Sequence, residues 1–470
     1  MKHILHLLCA LCVLCGSNAT AAEVPAKTDG AKPNIIVILT DDHGWADLGV
    51  QGVDAHIRTP NLDHLARDGV RFTRGYVTAS QCTPSRAGLM AGRYQNTFGV
   101  EQNFNPMRSE VVTLPERLKT SGYTTGISGK WHLDSGGREK DEDGEKNLDP
   151  NLAPHRQGFD EYFTGTLQDY SASHALDGTP FPDAPRAVTA KGCRVVLQTE
   201  WALQFLKRRA ADAAQQKPFF LYLAYMAPHT PVEFPKPWID AVPKDLPRER
   251  RSALALLAAI DDGVGRVRQQ LKDMGQAENT LIFFLGDNGA PLGKKGDGSL
   301  NLPMRGQKGM LSEGGIRVPF VAAWPGKIPG GQVFEHPVIS LDIAATAIAA
   351  TGQPPAPELD GVNLLPHLTG ERKEAPHETL NWRWADQAAI QEFPHKLIRP
   401  GKNQTLLFDI TKPEGEHHTR DLSAQHPEIA KRLRTKLDAW MKTLTPPGPP
   451  SRLQRVGHFT GAEILPAKKQ

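Results

Sequence analysis

The residues that could do chemistry begin with Cys82, in the run Cys82-Thr-Pro-Ser-Arg86 followed by Ala87-Gly-Leu-Met-Ala-Gly-Arg93. Taken alone, the thiol admits two readings. It can be a small buried hydrophobe, the usual fate of a lone cysteine. It can also be a thiolate nucleophile at a helix N-terminus, where backbone N–H groups lower its pKa. Four other places carry reactive side chains: Asp41-Asp42, Lys130 with His132, His229, and Asp287-Asn288. A single Asp after a strand is usually a helix cap. Four such endings are harder to explain that way, because ligands of open α/β sheets bind at the carboxyl ends of the strands.

The elements that must deliver these residues are legible as buried strands. Asn34-Ile-Ile-Val-Ile-Leu39 is a continuous apolar, β-branched run, the pattern of a strand covered on both faces, and it ends at Asp41-Asp42. Tyr123 to Ser128 leads to Lys130 and His132, Pro218 to Met226 to His229, and Thr280 to Leu285 to Asp287-Asn288. Val70 to Tyr76 and Ile316 to Trp324 read as further strands. Between them, Thr59-Pro60-Asn61 opens a helix that Gly69 ends, and Thr113-Leu-Pro-Glu116 is a capping box that starts another. Ala253 to Met274 and Asp342 to Ala350 are also helical in pattern. Strands alternating with helices predict a mainly parallel α/β sheet. From about Pro376 the pattern changes to short strand-like pieces, then an amphipathic helix from Pro427 to Leu444. The expected organisation is a catalytic domain over 33–374 and an α+β subdomain over 375–470, its tail after Pro446 rich in Pro and Gly.

Cys-x-Pro-Ser-Arg with the flank Ala-Gly-Leu-Met-Ala-Gly-Arg resembles the recognition motif of type I sulfatases, in which the cysteine is oxidised to formylglycine. The resemblance covers nearly the whole chain beyond the first residues, in order. It implies an alkaline-phosphatase-like α/β fold and sulfate ester hydrolysis. It implies a metal site of Asp41, Asp42, Asp287 and Asn288, completed by the modified Cys82, whose oxygen donors suit one Ca²⁺ better than Mg²⁺. One hydroxyl of the aldehyde hydrate would attack sulfur, and the second would collapse to release sulfate, a step that serine cannot supply. Arg86 would hold the modified side chain. Lys130, His132 and Lys308 would bind sulfate oxygens, and His229 would protonate the leaving alcohol. Lys308 lies in Met304-Arg-Gly-Gln-Lys-Gly-Met-Leu-Ser-Glu-Gly-Gly-Ile-Arg-Val-Pro319, which resembles the family's last active-site segment. The implied partners are a sulfated glycan and a formylglycine-generating or anaerobic sulfatase-maturating enzyme. Residues 94–108, 134–185 and 290–303 are expected to rim the pocket, with His174, Asp177, Lys294 and Lys295 as candidate sugar contacts or ordinary solvated loop residues.

Composition narrows the alternatives. At 470 residues the chain exceeds one ordinary core. A net charge of +3 is too balanced for a nucleic-acid binder. Met1-Lys2-His3, the apolar run Ile4 to Leu14 and the small residues Ala19-Thr20-Ala21-Ala22 read as a signal peptide over 1–22. A membrane anchor would need about 20 apolar residues, so an exported protein with no transmembrane span is expected, periplasmic or secreted. Cys12 and Cys15 each follow a bulky Leu, which disfavours lipid attachment. Cleavage would remove three of the five cysteines and leave Cys82 and Cys193, no disulfide framework. The competing readings are a phosphodiesterase or phosphonate monoester hydrolase on the same fold, and a glycan-binding relic whose cysteine is never modified.

Overall fold

The computed structural model describes residues 31–135 and 148–446, apart from 214, 216, 294, 295, 385, 402, 403, 413 and 414. The expected signal peptide, residues 136–147 of the expected 134–185 rim segment, Lys294, Lys295 and the tail after Pro446 lie outside the described residues.

The strands in chain order are β1 (Asn34–Asp41), β2 (Val70–Phe72), β3 (Gly75–Tyr76), β4 (Thr124–Gly129), β5 (Glu161–Thr166), β6 (Asp169–Ala172), β7 (Arg186–Thr189) and β8 (Phe219–Pro228). They continue with β9 (Thr280–Gly286), β10 (Phe320–Ala323), β11 (Gln332–Phe334), β12 (Val338–Ile339), β13 (Leu380–Trp384), β14 (Gln387–Glu392), β15 (His395–Arg399) and β16 (Leu406–Asp409). Among the described residues one ten-stranded sheet has the order β11-β2-β10-β9-β1-β8-β4-β5-β6-β7. Its centre, β5-β4-β8-β1-β9, is parallel throughout. The four strands that end in reactive residues, β4, β8, β1 and β9, are therefore neighbours, and their carboxyl ends form one continuous edge.

Outside that centre the sheet becomes mixed. The run Ile316 to Trp324 gives β10, which pairs antiparallel with β9. Residues 287–319 return to the carboxyl edge without crossing back in a helix, so the next strand must run the other way. The single strand expected over Val70 to Tyr76 is two: β2 joins the large sheet, and β3 leaves it to pair with β12.

All eight residues of β1 are buried, and its alternation sorts them between two cores. Ile35, Val37 and Leu39 face the layer of helices Cys82–Ala91, Leu114–Thr120 and Asp342–Ala350. Ile36 and Ile38 face helices Pro60–Asp68, Arg194–Ala213 and Arg248–Asp273. The capping box is present as the sequence predicts: Thr113 Oγ1 accepts from Glu116 N, and the Glu116 carboxylate accepts from Thr113 N.

β13 to β16 form a four-stranded antiparallel sheet. One of its faces, including Trp382, Trp384, Ile398 and Phe408, belongs to the same core as β1. The other packs Ile390, Leu397 and Leu407 on Leu433 and Leu437 of helix Pro427–Met441. A buried charge cluster ties this small sheet to the segment carrying Lys308. Lys396 Nζ lies 2.9 Å from Glu313 Oε1 and 2.7 Å from Glu416 Oε1, all three residues being at most 1% exposed. Glu313 Oε2 also accepts from Tyr76 OH at 2.8 Å and pairs with Arg317. Burial pushes Glu416 up to about 7, against the pull of Lys396.

Removing one partner of a buried ionic cluster strands the others. Lys396→Met is expected to lower unfolding stability by about 3–5 kcal/mol, read from the denaturant midpoint. A loss below about 1 kcal/mol would show that the cluster is not what fastens the sheets. Among the described residues no helix is long and apolar enough to cross a membrane.

Candidate active site

The strand ends converge because each exit from the sheet is held by backbone bonds to its neighbour. Asp287 N donates to Thr40 O at 2.9 Å, and His229 N donates to Asp41 O at 3.2 Å. β4 leaves through Gly129, whose φ of +108° no other residue adopts easily and whose missing Cβ would lie 2.0 Å from Ala224 O. Asp42 and His132 hold φ values of 62° and 64°. That left-handed backbone is uncommon for non-glycine residues and concentrates at functional sites. Lys308 arrives from the other side, with Lys308 N on Ala290 O and Gly309 N on Ser80 O.

Cys82 is the first residue of helix Cys82–Ala91 and is 1% exposed. Its Sγ lies 3.3 Å from Asp41 Oδ1, 3.8 Å from Asp42 Oδ1 and 3.2 Å from Lys308 Nζ. Burial and the Asp41 carboxylate push the thiol well above its ordinary value, outweighing Lys130 and Lys308. These surroundings oppose the thiolate that a helix N-terminus would favour.

Three carboxylates meet three permanent cations. Lys130 Nζ is 2.6 Å from Asp41 Oδ2, and Lys308 Nζ is 2.7 Å from Asp42 Oδ1. Fully buried Arg86 binds Asp287 Oδ2 through Nε at 2.9 Å and Nη2 at 2.8 Å, while Nη1 holds Lys130 O at 2.8 Å. Burial opposes ionisation of Asp41, yet Lys130, His229, Arg86 and Lys308 together hold it well below the usual carboxylate range. Asp287 is pushed up to about 6 by burial and by Asp41.

The two imidazoles flank this cluster. His229 Nε2 lies 3.7 Å from Asp42 Oδ2, and Nδ1 lies 2.7 Å from Thr230 O, so Nδ1 carries the hydrogen. Burial holds His229 below the ordinary imidazole value despite Asp41. His132 is partly buried, and its Nδ1 has no hydrogen-bond partner among the described residues. Burial, Lys130 and Arg86 hold it well below the ordinary value.

The donor set suits a hard cation. Ligand atoms of Asp41, Asp42, Cys82 and Asp287 all lie within 4.8 Å of one another. Asn288 Nδ2 donates to Asp42 Oδ1 at 2.6 Å, and its Oδ1 is buried with no hydrogen-bond partner among the described residues. An orphaned amide oxygen beside three carboxylates is what Ca²⁺ coordination uses.

The ten residues singled out from the sequence as catalytic or metal-binding (Asp41, Asp42, Cys82, Arg86, Lys130, His132, His229, Asp287, Asn288 and Lys308) thus fall in one cluster. Two candidate sugar contacts do not. His174 sits beside Glu161 at the amino end of β5, its Nδ1 3.8 Å from Glu161 Oε2, and Asp177 closes an exposed turn onto Thr179 N. β6 runs antiparallel to β5, so the chain beyond Ala172 heads away from the carboxyl edge.

Three residues near the site escaped the sequence. Asn103 Oδ1 accepts from Thr83 N at 3.1 Å, placing the 94–108 loop against helix Cys82–Ala91. Asp297 is 1% exposed, with Oδ2 unpartnered among the described residues. Burial and then Asp42 push it well up, against Ser299 N and Lys308. Arg194 underlies His229, donating to its carbonyl. None stands after a strand or in a motif, so no local signal marks them.

The Sulfatase family model matches residues 33–353. The chain belongs to the sulfatase family and is a sulfuric ester hydrolase. N-acetylgalactosamine-6-sulfatase of Homo sapiens is 30% identical over 500 residues, covering 92% of this chain and 89% of that protein. Arylsulfatase A of Homo sapiens is 32% identical over 438 residues, covering 84% and 80%. Among solved structures, Ps i-CgsB in complex with k-i-k-neocarrahexaose has a TM-score of 0.75 at 29% identity, covering 89% of this chain and 94% of that one. The alkaline-phosphatase-like fold class expected from the sequence is the observed one.

Proposed function

We propose that this enzyme is exported and removes sulfate from a sulfated carbohydrate, using formylglycine made from Cys82 and one bound Ca²⁺. The observation that carries the reading is the placement of Cys82 Sγ within hydrogen-bonding distance of both Asp41 and Lys308, in surroundings that suppress its own thiolate. Sγ marks where the hydrated aldehyde's oxygens would stand. The carbohydrate class is supported by the N-acetylgalactosamine-6-sulfatase relatives and by the neocarrahexaose complex. Export rests on the leader pattern at residues 1–22.

Formylglycine, when present, supplies a nucleophilic hydroxyl and a second one for sulfate release. The cation would be held by Asp41, Asp42, Asp287 and Asn288 together with that side chain, and supplies Lewis acidity toward sulfate oxygens. The remaining work falls to this chain's own groups. Arg86, Lys130 and Lys308 already balance Asp41, Asp42 and Asp287 charge for charge. The divalent charge is then in excess, which favours an anionic ester. Lys130, His132 and Lys308 orient the sulfate oxygens. His229 Nε2, on the open side of the cluster, delivers the proton that the departing alkoxide needs. An anionic sulfate beside the ring raises its proton affinity, opposing the effect of burial.

The direct test has two parts. Mass spectrometry of the Cys82 peptide from active protein should find the aldehyde, and the enzyme should cleave one or more of N-acetylgalactosamine 6-sulfate, other sulfated hexosamines and neocarrahexaose. An unmodified Cys82 in fully active enzyme, or faster turnover of phosphate mono- or diesters than of every sugar sulfate, would sink the reading.

A further inference from the structure

Arg194 is the first residue of the 20-residue helix Arg194–Ala213, and its side chain is fully buried. A guanidinium out of water needs a full set of acceptors. This one has few. Nη2 donates to the carbonyl of His229 and, at 3.1 Å, to the carbonyl of Pro231. Nη1 lies 3.7 Å from Glu233 Oε1, and neither Nε nor Nη1 has a hydrogen-bond partner among the described residues. All three groups it faces lie within five residues of one another, in the stretch that follows β8 and carries His229.

We propose that Arg194 is a positioning residue for His229, a role that rests on His229 being the leaving-group acid. One nitrogen grips carbonyls on both sides of Thr230, fixing the backbone whose own Thr230 carbonyl accepts from His229 Nδ1. The ring is thereby turned so that Nε2 faces Asp42 and the reacting centre. Lysine cannot reproduce this, because a single ammonium on a flexible stem lacks the planar fork. Misplacing a catalytic group by about 1 Å can cost about 10²-fold.

The test compares His229→Ala, Arg194→Met and Arg194→Lys with the parent enzyme, matched for aldehyde and Ca²⁺ content. Two substrates are used: the sugar sulfate turned over fastest in the panel above, whose alkoxide leaves poorly, and 4-nitrophenyl sulfate, whose phenolate needs no proton. His229→Ala should lose about 10²–10⁴-fold on the sugar sulfate and much less on the aryl ester. Arg194→Met should show the same imbalance at about 10–10²-fold, with Arg194→Lys between it and the parent. Equal slowing of both substrates by the Arg194 variants would make the residue merely structural and overturn the proposal, while leaving His229 as the acid. A His229→Ala enzyme without the imbalance would overturn both. If the parent does not turn over the aryl ester, the sugar sulfate decides: a loss confined to kcat supports the proposal, and a raised KM at unchanged kcat overturns it. If Arg194→Met does not fold, Arg194→Lys carries the comparison.

Discussion

Replacing Cys82 with serine is expected to give a folded enzyme that no longer turns over, and of which a fraction carries a sulfo group on the introduced hydroxyl. That hydroxyl occupies the place of Sγ, 3.3 Å from Asp41 and 3.2 Å from Lys308, and can attack sulfur once. It has no second hydroxyl on the same carbon whose collapse would expel sulfate. Cys82→Ala, with no nucleophile at all, should lose turnover without acquiring the added group. Intact-mass measurement after incubation with substrate separates the two variants. Sustained multiple turnover by the serine variant, at more than about a hundredth of the parent kcat, would contradict release through the second hydroxyl, since one hundredfold corresponds to about 2.7 kcal/mol of barrier.

Chelation is expected to abolish turnover while leaving the fold intact. Clusters of three buried carboxylates ordinarily repel one another enough to disrupt a site. Here Lys130, Lys308 and Arg86 each lie within 2.8 Å of one carboxylate, so the protein stays neutralised when the ion is removed. Circular dichroism should not change. The unfolding free energy should fall only by the linkage term, about 2.7 kcal/mol when Ca²⁺ had been present at a hundredfold its Kd. Ca²⁺ should restore activity, and Zn²⁺, which prefers nitrogen and sulfur donors, should not. Restoration by Zn²⁺ alone, or unfolding on chelation, would count against an oxygen-donor site balanced in this way.

Much of this was legible before any coordinates, for reasons that can be named. β1 and β9 are buried on both faces, and such strands read as unbroken apolar runs whose ends stand out. The reactive residues sit just past those ends, so their convergence followed from the parallel topology alone. Helix Asp342–Ala350 and the Thr113 capping box announce themselves through short-range chemistry. Other parts carry no such signal. β7 is exposed along most of its length and shows no alternation. Helix Arg194–Ala213 starts after Lys191-Gly192-Cys193 with no capping residue, and so Arg194 stayed hidden with it. His174 and Asp177 looked like rim residues because the sequence does not say at which end of a hairpin a loop falls. That is decided by the antiparallel pairing of β5 with β6, a long-range fact.

If Cys82 is converted to formylglycine as proposed, the burial of the whole stretch Cys82 to Ala91 would set an order of events in the life of the chain. The converting enzyme would have to grip the residues around the cysteine and bring an oxidant to Sγ, yet in the folded protein Cys82 is 1% exposed and wound into a helix within the core that two sheets share. Conversion would therefore belong to the interval between synthesis and closure. On that reading, a chain that folds first is expected to be stable and inert, and adding the converting enzyme afterwards is not expected to activate it. Folding speed, which ordinarily protects a protein, would then compete with its own activation.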